Sequence, residues 1–247
     1  MSGRPERIVI DSVTKQFMLR HTRAVKEIVV KSFQGRRAEL SEQFTALAEV
    51  NLRVSEGEAV ALLGRNGSGK STLLKLISGV MAPDQGQVAV RGNIAGLIDV
   101  GAGFHPDLTG RENVFLNGAI LGMSEAKIKR EFDRIVAFSE IEEFIDTEVK
   151  FYSSGMFLRL AFAVAVHTDP DIFLVDEILA VGDEPFQHKC LARIGELREE
   201  GKCLVIVSHD LDLVARLTDR AVLLERGRIV HDGAVAEALR RLREPES

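Results

Sequence analysis

With 247 residues, a hydrophobic share of 45% and a net charge of −5, the sequence has the apolar material for one large domain and no global charge signature for nucleic acid. No apolar run approaches the ~18 residues that span a bilayer, and the opening "MSGRPERIVID" lacks the apolar stretch of a secretory signal. The two cysteines, Cys190 and Cys203, read as buried free thiols in a reducing compartment.

The first element is "RIVIDSVTKQF" (7–17), a strand with Ile8, Ile10 and Val13 on its apolar side. "FTALAEVNLRVSEGEAVALLG" (44–64) gives two more strands, broken at Glu56-Gly57. Between them, residues 18–43 carry Val25, Ile28, Val29, Ser32 and Phe33 at helical spacing, which predicts an inserted helix. A strand at 59–63 then enters a glycine turn and a helix from about Lys70 to Ser78, stopped by Gly79. "QVAVRGNIAGLI" predicts a short hairpin turned by Gly92-Asn93. Residues 101–167 show helical periodicity, opened by "GAGFHPDLTG". "IFLV" (172–175), "CLVIV" (203–207), and "AVLLE" joined to "RIVHDG" by Arg226-Gly227 predict the remaining strands; "AVAEALRRLREPES" predicts a short helix. Apolar strands alternating with helices predict an α/β fold with a mostly parallel sheet and a helical insertion.

Three stretches carry chemistry. Gly64, Arg65, Asn66, Gly67, Ser68, Gly69, Lys70 and Ser71, followed by Thr72, fit the phosphate-loop pattern between a strand and a helix. The glycines let backbone N–H groups curl around a phosphate, and the helix adds its positive end. Lys70 would neutralise the β- and γ-phosphates, and the Ser71 hydroxyl would ligate Mg²⁺. The strand "IFLVDE" ends in Asp176, placed to reach Mg²⁺ through its water shell, and Glu177, placed to polarise the attacking water. "VSHD" puts His209 at the carboxyl end of the next strand, beside the γ-phosphate, where ligands gather in open α/β sheets.

With these parts in this order the chain resembles the nucleotide-binding subunit of ATP-binding-cassette (ABC) transporters, from Ile8 to about Gly233. The resemblance implies a single domain over 1–247: a P-loop NTPase with a mostly parallel core sheet, an antiparallel β-subdomain and a helical subdomain spanning 101–167. It also gives a role to "YSSGMFLRLAFAV", which holds the sole tyrosine. Tyr152, Ser153, Ser154, Gly155 and Met156 match the family's signature of the LSGGQ type, which binds the γ-phosphate held by an opposing subunit. Ser153 and Gly155 suit close approach to a phosphate; Tyr152 replaces the usual leucine and reads as a packing anchor. Asp183 of "AVGD" matches an aspartate that faces the partner subunit. Asp99 stands where a water- and Mg²⁺-sensing glutamine loop begins, which makes it a candidate metal residue; an acid there donates no amide hydrogen bond, which favours coupling to the membrane partner instead. Phe17 matches the aromatic that stacks on adenine, with His21 as a substitute.

"GAGFHPDLTGREN", "YSSGM" and "DEILAVGD" together look like the ATPase subunit of bacterial exporters for lipid-linked polysaccharides of the O-antigen, galactan, capsule or teichoic acid type. That implies two copies closing head to tail around two Mg·ATP, an integral membrane permease in two copies, and a place on the cytoplasmic face of the plasma membrane. Alternatives are an importer or drug-exporter ATPase and a soluble ABC ATPase acting on ribosomes or DNA. The stretch after His209 is too short for the carbohydrate-binding β-domain that some members append, so export independent of terminal-sugar recognition is expected. In the inserted segment, Arg20, His21, Arg23, Lys26, Lys31, Arg36 and Arg37 accompany the apolar line, so it reads either as a solvated helix or as a basic amphipathic gate for a lipid diphosphate.

Overall fold

The computed structural model describes residues 4–20, 41–96, 101, 103–176 and 183–243. Strands β1 (Glu6–Arg20), β2 (Ser41–Ser55) and β4 (Gln85–Val90) form an antiparallel sheet in the order β2-β1-β4. A six-stranded sheet holds β5 (Ile94–Gly96), β6 (Ile172–Val175), β7 (Cys203–Ile206), β3 (Ala59–Leu63), β8 (Arg220–Glu225) and β9 (Arg228–Ala234), in that order. Its strands run parallel from β5 to β8, and β9 returns antiparallel. The helices are α1 (Lys70–Ile77), α2 (Gly110–Ile120), α3 (Glu125–Ser139), α4 (Ser154–His167), α5 (Glu184–Glu199), α6 (Leu211–Leu217) and α7 (Val235–Arg243). The fold is the α/β class expected: a mostly parallel core sheet, a separate antiparallel sheet, and a run of helices before β6.

The apolar pattern of β1 explains its irregular path. Ile8, Ile10 and Val13 are all buried, although Ile10 and Val13 are three residues apart and would fall on opposite faces of a regular strand. The register slips between them, and Ser12 takes a left-handed φ of 49°, so a bulge returns Val13 to the core side. These residues join Leu47, Leu62, Leu73, Leu174 and Val205 in the core between the two sheets and α1.

On the other face of the large sheet, Phe162, Phe173, Phe186, Ile194 and Leu204 form a second core under α4 and α5. A third cluster gathers Val114, Ile128, Ile135, Leu160 and Val164 from α2, α3 and α4. Helix α4 contributes to both, which is why "FLRLAFAV" is apolar on nearly every side.

Two local expectations fail. Residues 18–20 and 41–43 belong to β1 and β2, not to a helix, because the hairpin pairing continues through Phe17↔Phe44 to Arg20↔Ser41; residues 21–40, including His21, lie outside the described residues. β4 and β5 do not form a hairpin either, since β4 pairs with β1 and β5 with β6. Gly92 has φ 113° but Asn93 lacks the positive φ that a two-residue type I′ turn requires, and the Asn93 N–H donates to Asp171 Oδ2 at 2.8 Å. The chain thereby crosses from one sheet to the other.

Candidate functional site

Strand order assembles the site. β6, β7 and β3 are adjacent and parallel, so their carboxyl ends open at one edge. Gly64–Ser71 follows β3, Asp176 follows β6, and Ser208-His209 follows β7. The sequence-predicted loop, acid and histidine are therefore brought together by topology alone.

The loop is held from three sides. The Lys70 ammonium, buried, donates to the carbonyl oxygens of Gly64 at 2.8 Å and Arg65 at 3.2 Å. Ser68 N–H donates to the Arg65 carbonyl, and the Gly227 N–H at the β8–β9 turn donates to the Ser68 carbonyl at 3.0 Å. At Gly69, φ is 110°, and an added Cβ would sit 2.7 Å from Leu47 Cδ2 and 2.8 Å from the Ala46 carbonyl oxygen. The loop thus turns hard against β2 before entering α1.

This surface fits a phosphate and a hard cation. Gly69 is the N-cap of α1 and supplies no side-chain acceptor, and no acid lies in the first turn. The helix keeps its positive end for an external anion. The Ser68 hydroxyl is buried without a protein partner. Beside the loop is a cavity of about 220 Å³ whose walls include Gly64, Ser68, Leu224, Arg226 and Arg241. The cation donors at hand, the Ser71 hydroxyl and the Asp176 carboxylate, are all oxygen, as Mg²⁺ prefers. Among the described residues no group of three or more His, Cys, Asp or Glu converges; Mg²⁺ ordinarily takes one or two protein groups and completes its shell from phosphates and water.

His209 is exposed between Ser208, whose hydroxyl accepts from the Asp210 N–H at 3.0 Å, and Asp210. The Asp210 carboxylate caps α6 by accepting from the N–H groups of Asp212 and Leu213. Phe17 is half-buried on β1, with the Lys15 ammonium 5.7 Å from its ring centre. Glu177 and Asp99 lie outside the described residues.

The signature residues sit apart from the loop, at the start of α4. Ser153 is its N-cap and accepts from the Met156 N–H at 3.2 Å; Ser153 and Ser154 are exposed. Tyr152 turns inward, its hydroxyl donating to the Phe144 carbonyl at 2.7 Å and its ring packing on the α2–α3–α4 cluster. Burial raises the tyrosine pKa to about 12. Asp183 caps α5 and also receives Arg159 at 2.6 Å. In the sequence Arg159 is marked by one signal, a lone cation inside the apolar run "MFLRLAFAV".

A parallel sheet with a glycine loop feeding an uncapped helix, and with acid and histidine at adjacent strand ends, defines a P-loop nucleotide-binding fold. The family model described as ABC transporter matches residues 47–180, and the chain belongs to the ABC transporter family. It is 46% identical over 242 residues to the O-antigen export system ATP-binding protein RfbB of Myxococcus xanthus, covering 96% of this chain and 55% of that protein. The chain therefore spans about half the length of that relative. It is 41% identical over 229 residues to RfbB of Klebsiella pneumoniae, covering 92% of this chain and 93% of that protein. Among solved structures, a dimeric ATP-binding cassette in a post-hydrolysis state with ADP and Pi superposes with a TM-score of 0.72 at 25% identity, covering 92% of this chain and 98% of that one.

Proposed function

We propose that this chain is the ATP-hydrolysing subunit of an exporter that moves a lipid-linked polysaccharide across the plasma membrane. The observation that carries the chemistry is the meeting of the Gly64–Ser71 loop, Asp176 and His209 at one sheet edge. The O-antigen export names of its relatives support the cargo class. The domain is read as one nucleotide-binding unit with residues 101–167 as its helical subdomain.

Two copies close head to tail, each triphosphate lying between one copy's Gly64–Ser71 and the other's Ser153–Gly155. Backbone N–H groups of the loop and the α1 terminus hold the phosphates, Lys70 offsets their charge, and Phe17 stacks on adenine. Glu177 orients the attacking water and His209 contacts the γ-phosphate. Mg²⁺, when bound, screens phosphate charge and is held by Ser71 and Asp176.

Among the described residues no helix is long and apolar enough to cross a membrane; the export-system names of the relatives support a separate permease as the pore. An apolar groove of about 490 Å³ between Val80, Ile94, Ile120 and Leu121, with Val80 and Ile120 exposed, suits a segment of that partner. The inserted stretch 18–43, of which 21–40 lie outside the described residues, carries the basic and apolar side chains that suit recognition of a lipid diphosphate; unchanged export after charge reversal at Lys26 and Lys31 would remove that part.

Affinity purification from detergent-solubilised membranes of the native organism, followed by mass spectrometry, tests the whole reading. A multi-helix membrane protein encoded beside glycan-synthesis enzymes, recovered in about equal amount, is expected. A binding-protein-dependent permease would overturn the cargo; ribosomes or DNA would overturn the transporter. The chemistry is tested separately with Glu177→Gln, which should bind ATP and fail to turn it over.

A further inference from the structure

The cavity beside the glycine loop lies away from the strand-end acid and histidine. In the large sheet β3 has β7, then β6, on one side and β8, then β9, on the other. Asp176 and His209 follow β6 and β7. The cavity is instead walled by residues 64–68, by residues 223–226 at the end of β8, and by Arg241 and Leu242 of α7. Among the described residues its wall holds none of Lys70, Ser71, Asp176, His209 or Phe17. Helix α7 reaches the loop because Ala238, Leu239 and Leu242 pack with Ala61, Leu63 and Leu223 of the core sheet.

Ser68 turns its side chain to this side. A Cβ built on Gly64 would meet the Leu224 carbonyl oxygen at 2.3 Å and Ser68 Oγ at 2.5 Å, so the hydroxyl lies by the β8 backbone. Ser68 is 5% exposed and its hydroxyl has no protein partner, a costly state for a buried polar group. Arg65, Arg226 and Arg241 stand in the same wall against one acid, Glu225. The Arg241 guanidinium is oriented by Glu237, whose Oε1 accepts from Nε at 3.1 Å and Nη2 at 3.0 Å. Arginines in a last turn also complement the negative end of a helix, which accounts for Arg240 and Arg243 but not for a buried hydroxyl facing a cavity. At about 220 Å³ the space is below the roughly 300–1,000 Å³ of sites for larger ligands. It suits a small oxyanion that accepts from a hydroxyl and a guanidinium fork.

We propose that this cavity is a second anion site, taking a phosphate-sized oxyanion on Ser68 and Arg241 while ATP occupies the α1 side of the loop. The two sites share one backbone. Ser68 and Lys70 are two residues apart, at most about 7 Å of chain, inside the ~10 Å over which charges act at about 0.1 M salt. Anions on the two sides of the loop therefore repel, and each weakens the other's binding by the same factor. The phosphate released by hydrolysis is one source of the ligand; a phosphorylated metabolite is another. The coupling rests on the ATP reading of the loop above, whereas the cavity itself does not.

The test is titration of a fluorescent, non-hydrolysable ATP analogue onto the purified full-length protein at increasing inorganic phosphate, with ionic strength held constant by chloride. The analogue Kd should rise several-fold and then level off, with a smaller plateau at about 0.5 M salt. Arg241→Gln removes a cation from the wall and Leu242→Trp fills the space. Each should abolish the rise while the Kd without phosphate stays within about twofold, with thermal melting to establish folding. A Kd that climbs in proportion to phosphate without levelling is competition in the ATP site and overturns the inference. No rise in wild type, or an unchanged plateau in folded Arg241→Gln, overturns it equally; that variant decides alone if Leu242→Trp does not fold. Repeating the titration with glycerol 3-phosphate separates the sources: a plateau with inorganic phosphate alone supports the released product, and one with both supports any bearer of the group. If the analogue does not bind wild type, the functional reading fails. Equilibrium dialysis of labelled phosphate then decides the cavity by itself, with binding that Arg241→Gln abolishes expected and binding that it leaves intact overturning the site.

Discussion

Lys70 donates to the carbonyl oxygen of Gly64, 2.8 Å away and six residues earlier, so the loop's own cation closes the loop. The ammonium is buried and would be costly there without acceptors. Holding it on backbone carbonyls keeps a positive charge at the rim of α1, ready to exchange part of that partnership for phosphate oxygens. Lys70→Ala should weaken ATP binding by about 10- to 100-fold, the range of a charge-assisted hydrogen bond. Titration calorimetry with ATP measures this; affinity within about twofold of wild type would remove Lys70 from the site.

Gly69 makes the adjoining turn by two means that an alanine lacks. Its φ of 110° is one that residues with a side chain rarely adopt, and its missing Cβ leaves room for Leu47 and Ala46 of β2. Gly67, at φ 78°, would point a Cβ into open space. Gly69→Ala should therefore cost more stability than Gly67→Ala: about 1–2 kcal/mol for the backbone in each, with the clash added only at position 69. Denaturant unfolding of both variants gives the comparison; equal losses would show that β2 yields to the methyl group.

Tyr152, at a position of the proposed phosphate-binding signature, is held by packing. Its hydroxyl satisfies the Phe144 carbonyl at 2.7 Å, and Gly110 leaves the space it occupies: a Cβ there would come within 2.1 Å of the phenolic oxygen. Tyr152→Phe should lower stability by about 1 kcal/mol, the net value of one hydrogen bond, and leave the ATP affinity of the separate subunit unchanged. An ATP-affinity loss without a stability loss would instead place the hydroxyl on the nucleotide.

The fold was legible wherever burial was continuous. "AVALL" and "IFLV" are apolar at every position because both faces of a parallel strand are covered, and the glycine loop between strand and helix carried its own chemistry. The β4–β5 crossing was not legible, since Gly-Asn looks like a turn whether or not the flanking strands pair. Nor were the ends of the inserted segment, where Met18, Leu19 and Phe44 suit a helix or a ribbon and only the pairing of β1 with β2 decides. Arg159 was visible as a lone cation, but its partners Glu140 and Asp183 are 19 and 24 residues away, a relation that no local pattern encodes.

His167, the last residue of α4, gives the fold a pH dependence of its own. Its ring is partly buried, edge-on to Phe138 at 5.4 Å, with Nδ1 2.7 Å from the Ala163 carbonyl oxygen. Burial is the main cause that lowers its pKa below the ordinary 6.5; Arg193 and Arg134 push the same way, while the Ala163 contact and Glu131 oppose them. Between the lowered folded value and 6.5 the unfolded chain binds more protons than the folded one, so His167 contributes stability that is fully present above 6.5 and lost as pH falls through that window. His167→Gln keeps an amide donor for Ala163 and has no titration there. The loss of unfolding free energy between about pH 7.5 and about pH 5.5 should be smaller in this variant than in wild type. Parallel pH profiles for the two proteins would assign the window to other groups.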